Sequence, residues 1–264
     1  MLKIRLNILP QTSFENYNTI LERYLIENDV IISREDFFVV LGHIEKLEDL
    51  EQFKIFKNES IGKIAIVHNI FENSNEILKY VDRIIVHHKF QRDILLRMFL
   101  ESTQVIHIDY PIDYKGFNEP PKDIKIYIPQ DADDIKVVNF LKENYEIVQK
   151  PQESSLIIMA YKNEHFGNYH TFYKLFKYSR PFILPKFPQF IEFAILKATP
   201  EVLYDNIESL QRIIESFENK WFYNYYLSII RAYAISNSFK RFSKLLLNVI
   251  RNVIPEDFLA IWYS

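Results

Sequence analysis

The sequence predicts an α/β protein built on parallel sheets, in two parts. Short β-branched runs alternate with helical runs along most of the chain, the pattern of parallel strands joined by helical crossovers. That rhythm breaks once, in "DYPIDYKGFNEPPKD" (109–123), where three prolines and a glycine can continue neither a helix nor a central strand. It then resumes, and from about Asn206 onward the periodicity is helical only. Two Rossmann-like domains, a linker and a set of C-terminal helices follow from these three observations.

The elements read in order. "KIRLNIL" (3–9) is a strand, and Thr12 with Glu15 three residues on predicts a capping box for a helix with Phe14, Tyr17, Ile20, Leu21, Tyr24 and Leu25 on one face. "DVIIS" and "DFFVVL" are buried strands, and Ile44, Leu47, Leu50 and Phe53 mark a second helix. "KIAIVH" (63–68), "RIIVH" (83–87) and "QVIHI" (104–108) are strands separated by the helices "SNEILKY" and "KFQRDILLRMFL". Beyond the linker come "IKIYI" (strand), "DDIKVVNFLKEN" (helix), "YEIV" and "SLIIMA" (strands), "NYHTFYKLFKY" (helix) and "PFIL" (strand). Ile207, Leu210, Ile213, Ile214 and Phe217 then form a helical stripe, followed by two aromatic, basic helices. The domain assignment is residues 1–115 for the first domain and 116–237 for the second, followed by a last helical stretch at 238–264.

Composition narrows the class. With 264 residues and 48% apolar content the chain can bury one large core or two small ones. A formal charge of −3 provides no basic field for nucleic acid. The absence of cysteine removes disulfides, thiolate metal sites and a cysteine nucleophile. No eighteen-residue apolar window occurs, and the opening "MLKIRLNILPQTS" is too charged for a signal peptide. A cytoplasmic protein is expected, at most peripheral to a membrane, with a thermophile-like composition of few glycines and many Ile, Lys, Glu and Tyr. "KWFYNYYLSIIRAYAI" and "FKRFSKLLLNVIRNVI" suit either packing or contact with anionic lipid through Lys240, Arg241, Lys244 and Arg251.

One of only four glycines, Gly167, follows Glu164-His165-Phe166 and opens a helical run. A strand ends near Ala160, a loop carries a carboxylate, and a glycine lets the backbone approach closely where a helix begins. The N–H groups of Asn168, Tyr169 and His170 would then form an anion site, helped by the helix dipole. The alternative is an ordinary turn glycine beside a solvated acid. "DADD" (131–134) offers metal-like spacing, but it opens a helix, where acids favour the positive dipole end. No metal site and no cofactor motif is assigned.

Four stretches taken together resemble the group 1 retaining family of GT-B-fold glycosyltransferases, which use nucleotide sugars. "YVDRIIVHHKFQRDILLRMF" (80–99) is similar to its A-D-x-h-h-h-x-S strand-to-helix unit, and "VIHIDYPID" (105–113) to its exit from the first domain. "SSLIIMAYKNEHFGNYHTFYKLFKYSRPFIL" (154–184) is similar to its P-S-x-x-E-x-F-G segment with the following G-x-P-V-I, and "TPEVLYDNIESLQRII" (199–214) to its next strand and helix. The resemblance implies two domains facing a cleft, a nucleotide diphosphate over the helix start at Gly167, and Glu164 facing the transferred sugar. It further implies a hydrogen bond from His68 to sugar or phosphate, Lys136 near the family's diphosphate-clamping lysine, and C-terminal helices crossing back to the first domain. The donor is a substrate, no cofactor is implied, and the acceptor (glycan, protein or lipid) on the first domain is open.

Three departures bear on activity. The family's second glutamate, which holds ribose hydroxyls, is Phe172 here; the clamping arginine is Gln130; and the Gly-Gly loop after the first strand is "LPQTSFEN" (9–16). Phenylalanine accepts no hydrogen bond, and a neutral Gln is a poor partner for two phosphates. His68 and His43 have a bland reading as buried strand-end residues, Lys136 as a helix-surface lysine, and His87, His88 and His107 read as structural. The function that follows is a metal-independent, retaining glycosyltransferase, with two rivals: a catalytically degenerate binding or assembly module, and a nucleotide-sugar-modifying enzyme such as an epimerase.

Overall fold

The computed structural model describes residues 4–56, 61–71, 74–98, 104–114, 116, 119–162, 166–196 and 199–254. The chain divides into two compact units, Met1–Pro111 with Phe239–Ser264, and Ile112–Ser238.

In the first unit, strands β1 (Arg5–Ile8), β2 (Ile31–Ile32), β3 (Val39–Ile44), β4 (Gly62–Val67), β5 (Arg83–Val86) and β6 (Val105–His107) form one parallel sheet in the order β2-β1-β3-β4-β5-β6. Helices α1 (Glu15–Ile26), α2 (Glu51–Lys54) and α3 (Lys89–Met98) are its crossovers. The strand period of two assigns the faces. Val40, Ile44, Ala65, Val67, Ile84 and Val86 pack with Leu50, Phe53, Ile77 and Leu95 on one side. The alternate residues turn the other way, toward α1 and the returning helix α9 (Phe239–Arg251). Helix α9 buries Phe239, Phe242, Leu246, Val249 and Ile250, and Tyr17 of α1 meets Phe239 and Phe242 at ring distances of 5.1 and 6.0 Å. Its Lys240, Arg241, Lys244 and Arg251 are exposed. The final helix therefore packs its apolar face on the first unit, as the resemblance implies.

In the second unit, β7 (Ile126–Tyr127), β8 (Ile147–Val148), β9 (Leu156–Ile158), β10 (Phe182–Pro185) and β11 (Leu203–Tyr204) form a parallel sheet in the order β11-β10-β9-β7-β8. Its helices are α4 (Ile135–Asn144), α5 (Phe166–Leu175), α6 (Pro188–Leu196), α7 (Ile207–Ser216) and α8 (Lys220–Ser236). Asn206 caps α7 reciprocally with Ser209, and Asn219 caps α8. Where the chain enters this unit and where it leaves, backbone pairs with backbone: the Ile112 N–H donates to the Asn237 carbonyl at 2.7 Å.

Several local expectations need correction. The Thr12/Glu15 capping box is not made: Thr12–Phe14 is a 3-10 turn, and neither its N-cap nor that of α1 has a side-chain cap. Phe14 goes into the core instead, which fixes the helix entry by burial. The helix expected from Ile44 to Phe53 is a 3-10 turn at Leu47–Leu50 followed by the short α2, and "SNEILKY" is a 3-10 segment, Ser74–Lys79.

Candidate functional site

In the second sheet the chain runs from β7 outward to β8, then returns to place β9 on the other side of β7. The crevice between β7 and β9 is the topological switch point, where ligands of open α/β sheets sit beyond the carboxyl ends of the strands. The segment after β7 carries "DADD", and the one after β9 leads into α5.

Carboxylates stitch the mouth of that crevice. Asp131 accepts from the Tyr161 hydroxyl and from Thr171 Oγ1 of α5, both at 2.8 Å. Asp133 accepts from the Lys162 N–H at 2.7 Å, the Asp134 N–H donates to the Ala160 carbonyl at 3.0 Å, and the Asp134 side chain caps α4 at the Val137 N–H. Burial first, and then the bond to Asp131, pushes the Tyr161 hydroxyl up, so it stays a donor at neutral pH. Among the described residues no group of three or more His, Asp or Glu could hold a metal ion.

The sequence-derived residues fall unevenly around this edge. Gly167, Asn168, Tyr169 and His170 lie in the first turns of α5, with His170 half-buried, whereas Glu164 lies outside the described residues. Phe172 is 1% exposed and meets the rings of Phe176, Phe182, Phe190 and Phe193 at 4.8–5.2 Å. The position of the family's ribose-binding glutamate thus faces the core. Gln130 is exposed and lines a pocket of about 290 Å³ with Tyr127, Pro129, Lys142 and Gln149, on the β8 side of β7. Lys136 is exposed on α4. Neither makes a hydrogen bond or ion pair to a described residue of α5. Counting back from Pro181, the motif glycine before β10 falls on Ser179, which adopts the left-handed conformation (φ 53°) that glycine favours.

The first unit holds a cluster the sequence reading dispersed. His43, His68 and His87 sit at the carboxyl ends of three adjacent strands, on the face toward α1 and α9, and are 0, 4 and 4% exposed. His43 Nε2 is 2.7 Å from Asn18 Oδ1, and His43 Nδ1 is 2.7 Å from His68 Nε2. With Asn18 presenting its oxygen, the protons are ordered. His43 donates from Nε2 to Asn18, so its Nδ1 accepts from His68 Nε2–H. Both rings lie flat against Phe14, at 4.3 and 4.1 Å, and Tyr17 meets His43 edge-on. Gln91 donates to the His68 carbonyl, and His87 donates from Nδ1 to the Ile108 carbonyl at 2.8 Å.

Burial sets the charge state of the neighbouring rings. Desolvation is the largest influence on His87 and brings its pKa down to about 4, against the supporting Ile108 carbonyl. Desolvation, reinforced by His87 and His107, brings His88 down to about 3. The same loss of solvent raises Tyr17 and Tyr110. His87 and His88 are therefore uncharged at physiological pH, within a closely packed setting. Asn18 had no signal in the sequence beyond its place on the polar side of a helix. His68 and His43 both stand out there as strand-end histidines, but nothing in the sequence pairs them.

No family model matches the sequence, and a search of curated proteins returns no match. Solved structures do match. HepE of Anabaena in complex with UDP aligns over 95% of this chain and 100% of its own, with a TM-score of 0.64 and 9% identity. The same protein in complex with UDP and glucose aligns over the same shares, with a TM-score of 0.65 and 8% identity. At such identity the likeness establishes the fold: the chain has a GT-B-like architecture of two Rossmann-like α/β units, with its C-terminal helix returned to the first.

Proposed function

We propose that the protein is a glycosyltransferase that takes a sugar from a nucleotide diphosphate donor held by its second unit. One observation carries the reading. The fold matches, over nearly the whole chain, that of a protein crystallised with UDP and with UDP and glucose. Two features of this chain support it: the switch-point crevice between β7 and β9, and the start of α5 beside it, with Gly167 in its first turn. In this reading the amides of Asn168, Tyr169 and His170 and the α5 dipole stabilise the leaving diphosphate, with Lys136 as an outer cation and no metal required. Glu164 meets the transferred sugar, and the anomeric configuration is retained. His68, expected to donate to sugar or phosphate, has its Nε2 engaged by His43, which gives it a supporting part in this reading.

A second reading, a binding or assembly module that keeps the fold without turnover, is favoured by Phe172. A core phenylalanine replaces a ribose-binding carboxylate, and Gln130 replaces a cation.

The deciding experiment is UDP release from a panel of nucleotide sugars, with Glu164→Ala as control. The transferase reading expects release from at least one donor, reduced about 100-fold or more in the variant while UDP affinity changes little, because the lost contact is made chiefly in the transition state. UDP binding without release from any donor would establish the module instead.

A further inference from the structure

Beside α1 lies a pocket of about 430 Å³ that the donor site does not use. Its floor is the carboxyl end of β1 (Ile8), its rim is Pro10, Gln11 and Thr12, and Arg34, just beyond β2, closes one side. Glu15, Asn18, Thr19 and Glu22 make the wall, at i, i+3, i+4 and i+7 on one face of α1. We infer that this pocket binds the acceptor, and that the acceptor is a neutral saccharide; this rests on the transferase reading above.

Three observations carry the inference. The wall alternates in hydrogen-bonding character. Glu15 and Glu22 only accept, Arg34 only donates, the Thr12 hydroxyl does both, and the Thr19 hydroxyl, whose proton goes to the Glu15 carbonyl at 2.9 Å, accepts. Gln11 Oε1 is a buried acceptor without a partner among the described residues. Vicinal hydroxyls, which donate and accept at close spacing, suit such a wall.

The wall is also held in place. Asn18 is 7% exposed, and its amide oxygen is committed to His43, which His68 and Phe14 fix in turn. An amide whose oxygen is spent inside has its two N–H donors left for the pocket. The buried imidazole pair thereby acquires a purpose: it is the support that orients one pocket residue. The lining charge gives the third argument. Two carboxylates and one guanidinium leave a net negative pocket, which disfavours a lipid phosphate, a nucleotide or an acidic sugar.

The test is ligand-observed NMR titration of the whole chain with glucose, N-acetylglucosamine and maltose, and with glucuronate and glucose 6-phosphate as anionic counterparts. UDP is titrated into the same samples. Saturable binding of at least one neutral sugar is expected, weakened about five-fold or more by Glu22→Gln and by Arg34→Ala, each removing one charge-assisted hydrogen bond. UDP affinity should stay within about two-fold in both variants, since the two sites lie in different units. Three results overturn the inference: no neutral sugar binds, the two variants bind sugar as well as wild type, or an anionic sugar binds more tightly than its neutral counterpart. Failure of UDP to bind counts against the transferase reading alone, because the sugar titration is read independently.

Discussion

Single residues decide how far this fold departs from the family it resembles. Phe172 occupies a cage of four further rings in the second unit, so restoring the family's residue as Phe172→Glu should not restore ribose binding. A carboxylate there would be buried without a partner, and thermal denaturation should show a loss of about 3 kcal/mol or more. A stable variant with tighter UDP binding would contradict the placement of that side chain. Asp131 has the opposite character. Its carboxylate sits on α5 through Thr171, close to where a diphosphate would lie, so Asp131→Asn should raise UDP affinity about three- to ten-fold at low salt, less at high salt. The buried imidazoles predict a pH dependence. His87 and His88 have folded pKa values of about 4 and 3, below the unfolded value of about 6.5. Their contribution to stability is complete above pH 6.5 and is lost as pH falls toward those values, because the unfolded chain binds protons that the fold refuses. Urea midpoints should fall between pH 7.5 and 5.5, at up to about 1.4 kcal/mol per pH unit for each histidine, and His88→Gln should flatten the slope.

At the level of elements, much of the fold could be read in the sequence because periodicity reports burial. The strands 63–68, 83–87 and 104–108, the helical stripes of α1 and α7, and the break after residue 109 all follow from which residues must leave water. The short segments could not be read this way. A 3-10 turn such as Leu47–Leu50 spaces apolar residues much as a helix does, and only its neighbours decide between them. Nor was the cluster Asn18-His43-His68 visible: successive members are 25 residues apart, His43 and His68 meet through the register of β3 and β4, and Asn18 reaches His43 from α1. The returning helix is held by close approach as well as by its apolar stripe. A Cβ on Gly62 would stand 2.6 Å from the Val253 carbonyl oxygen, so Gly62→Val should displace the end of the C-terminal segment and destabilise the first unit, by about 1–3 kcal/mol in chemical denaturation. Arg180 serves the second unit in a similar way. Its guanidinium is fully buried and donates to the carbonyls of Glu119, Gln152, Ser154, Tyr178 and Ser179. Arg180→Met should cost about 3 kcal/mol or more, since five carbonyls lose a donor away from water.

At the scale of the whole molecule, the proposed function gives the two units separate tasks. In that proposal the second offers its switch-point crevice and the start of α5 to a diphosphate, and the first offers the polar pocket beside α1 to hydroxyls. The central claim is that a nucleotide diphosphate rests on the start of α5. Hydrogen–deuterium exchange of the intact chain with and without saturating UDP tests it most directly. The account predicts slowed exchange in the loop 128–134 and in the first turns of α5, with the first unit's pocket unchanged. Exchange that is unaltered by millimolar UDP, or protection confined to residues 8–34, would contradict it.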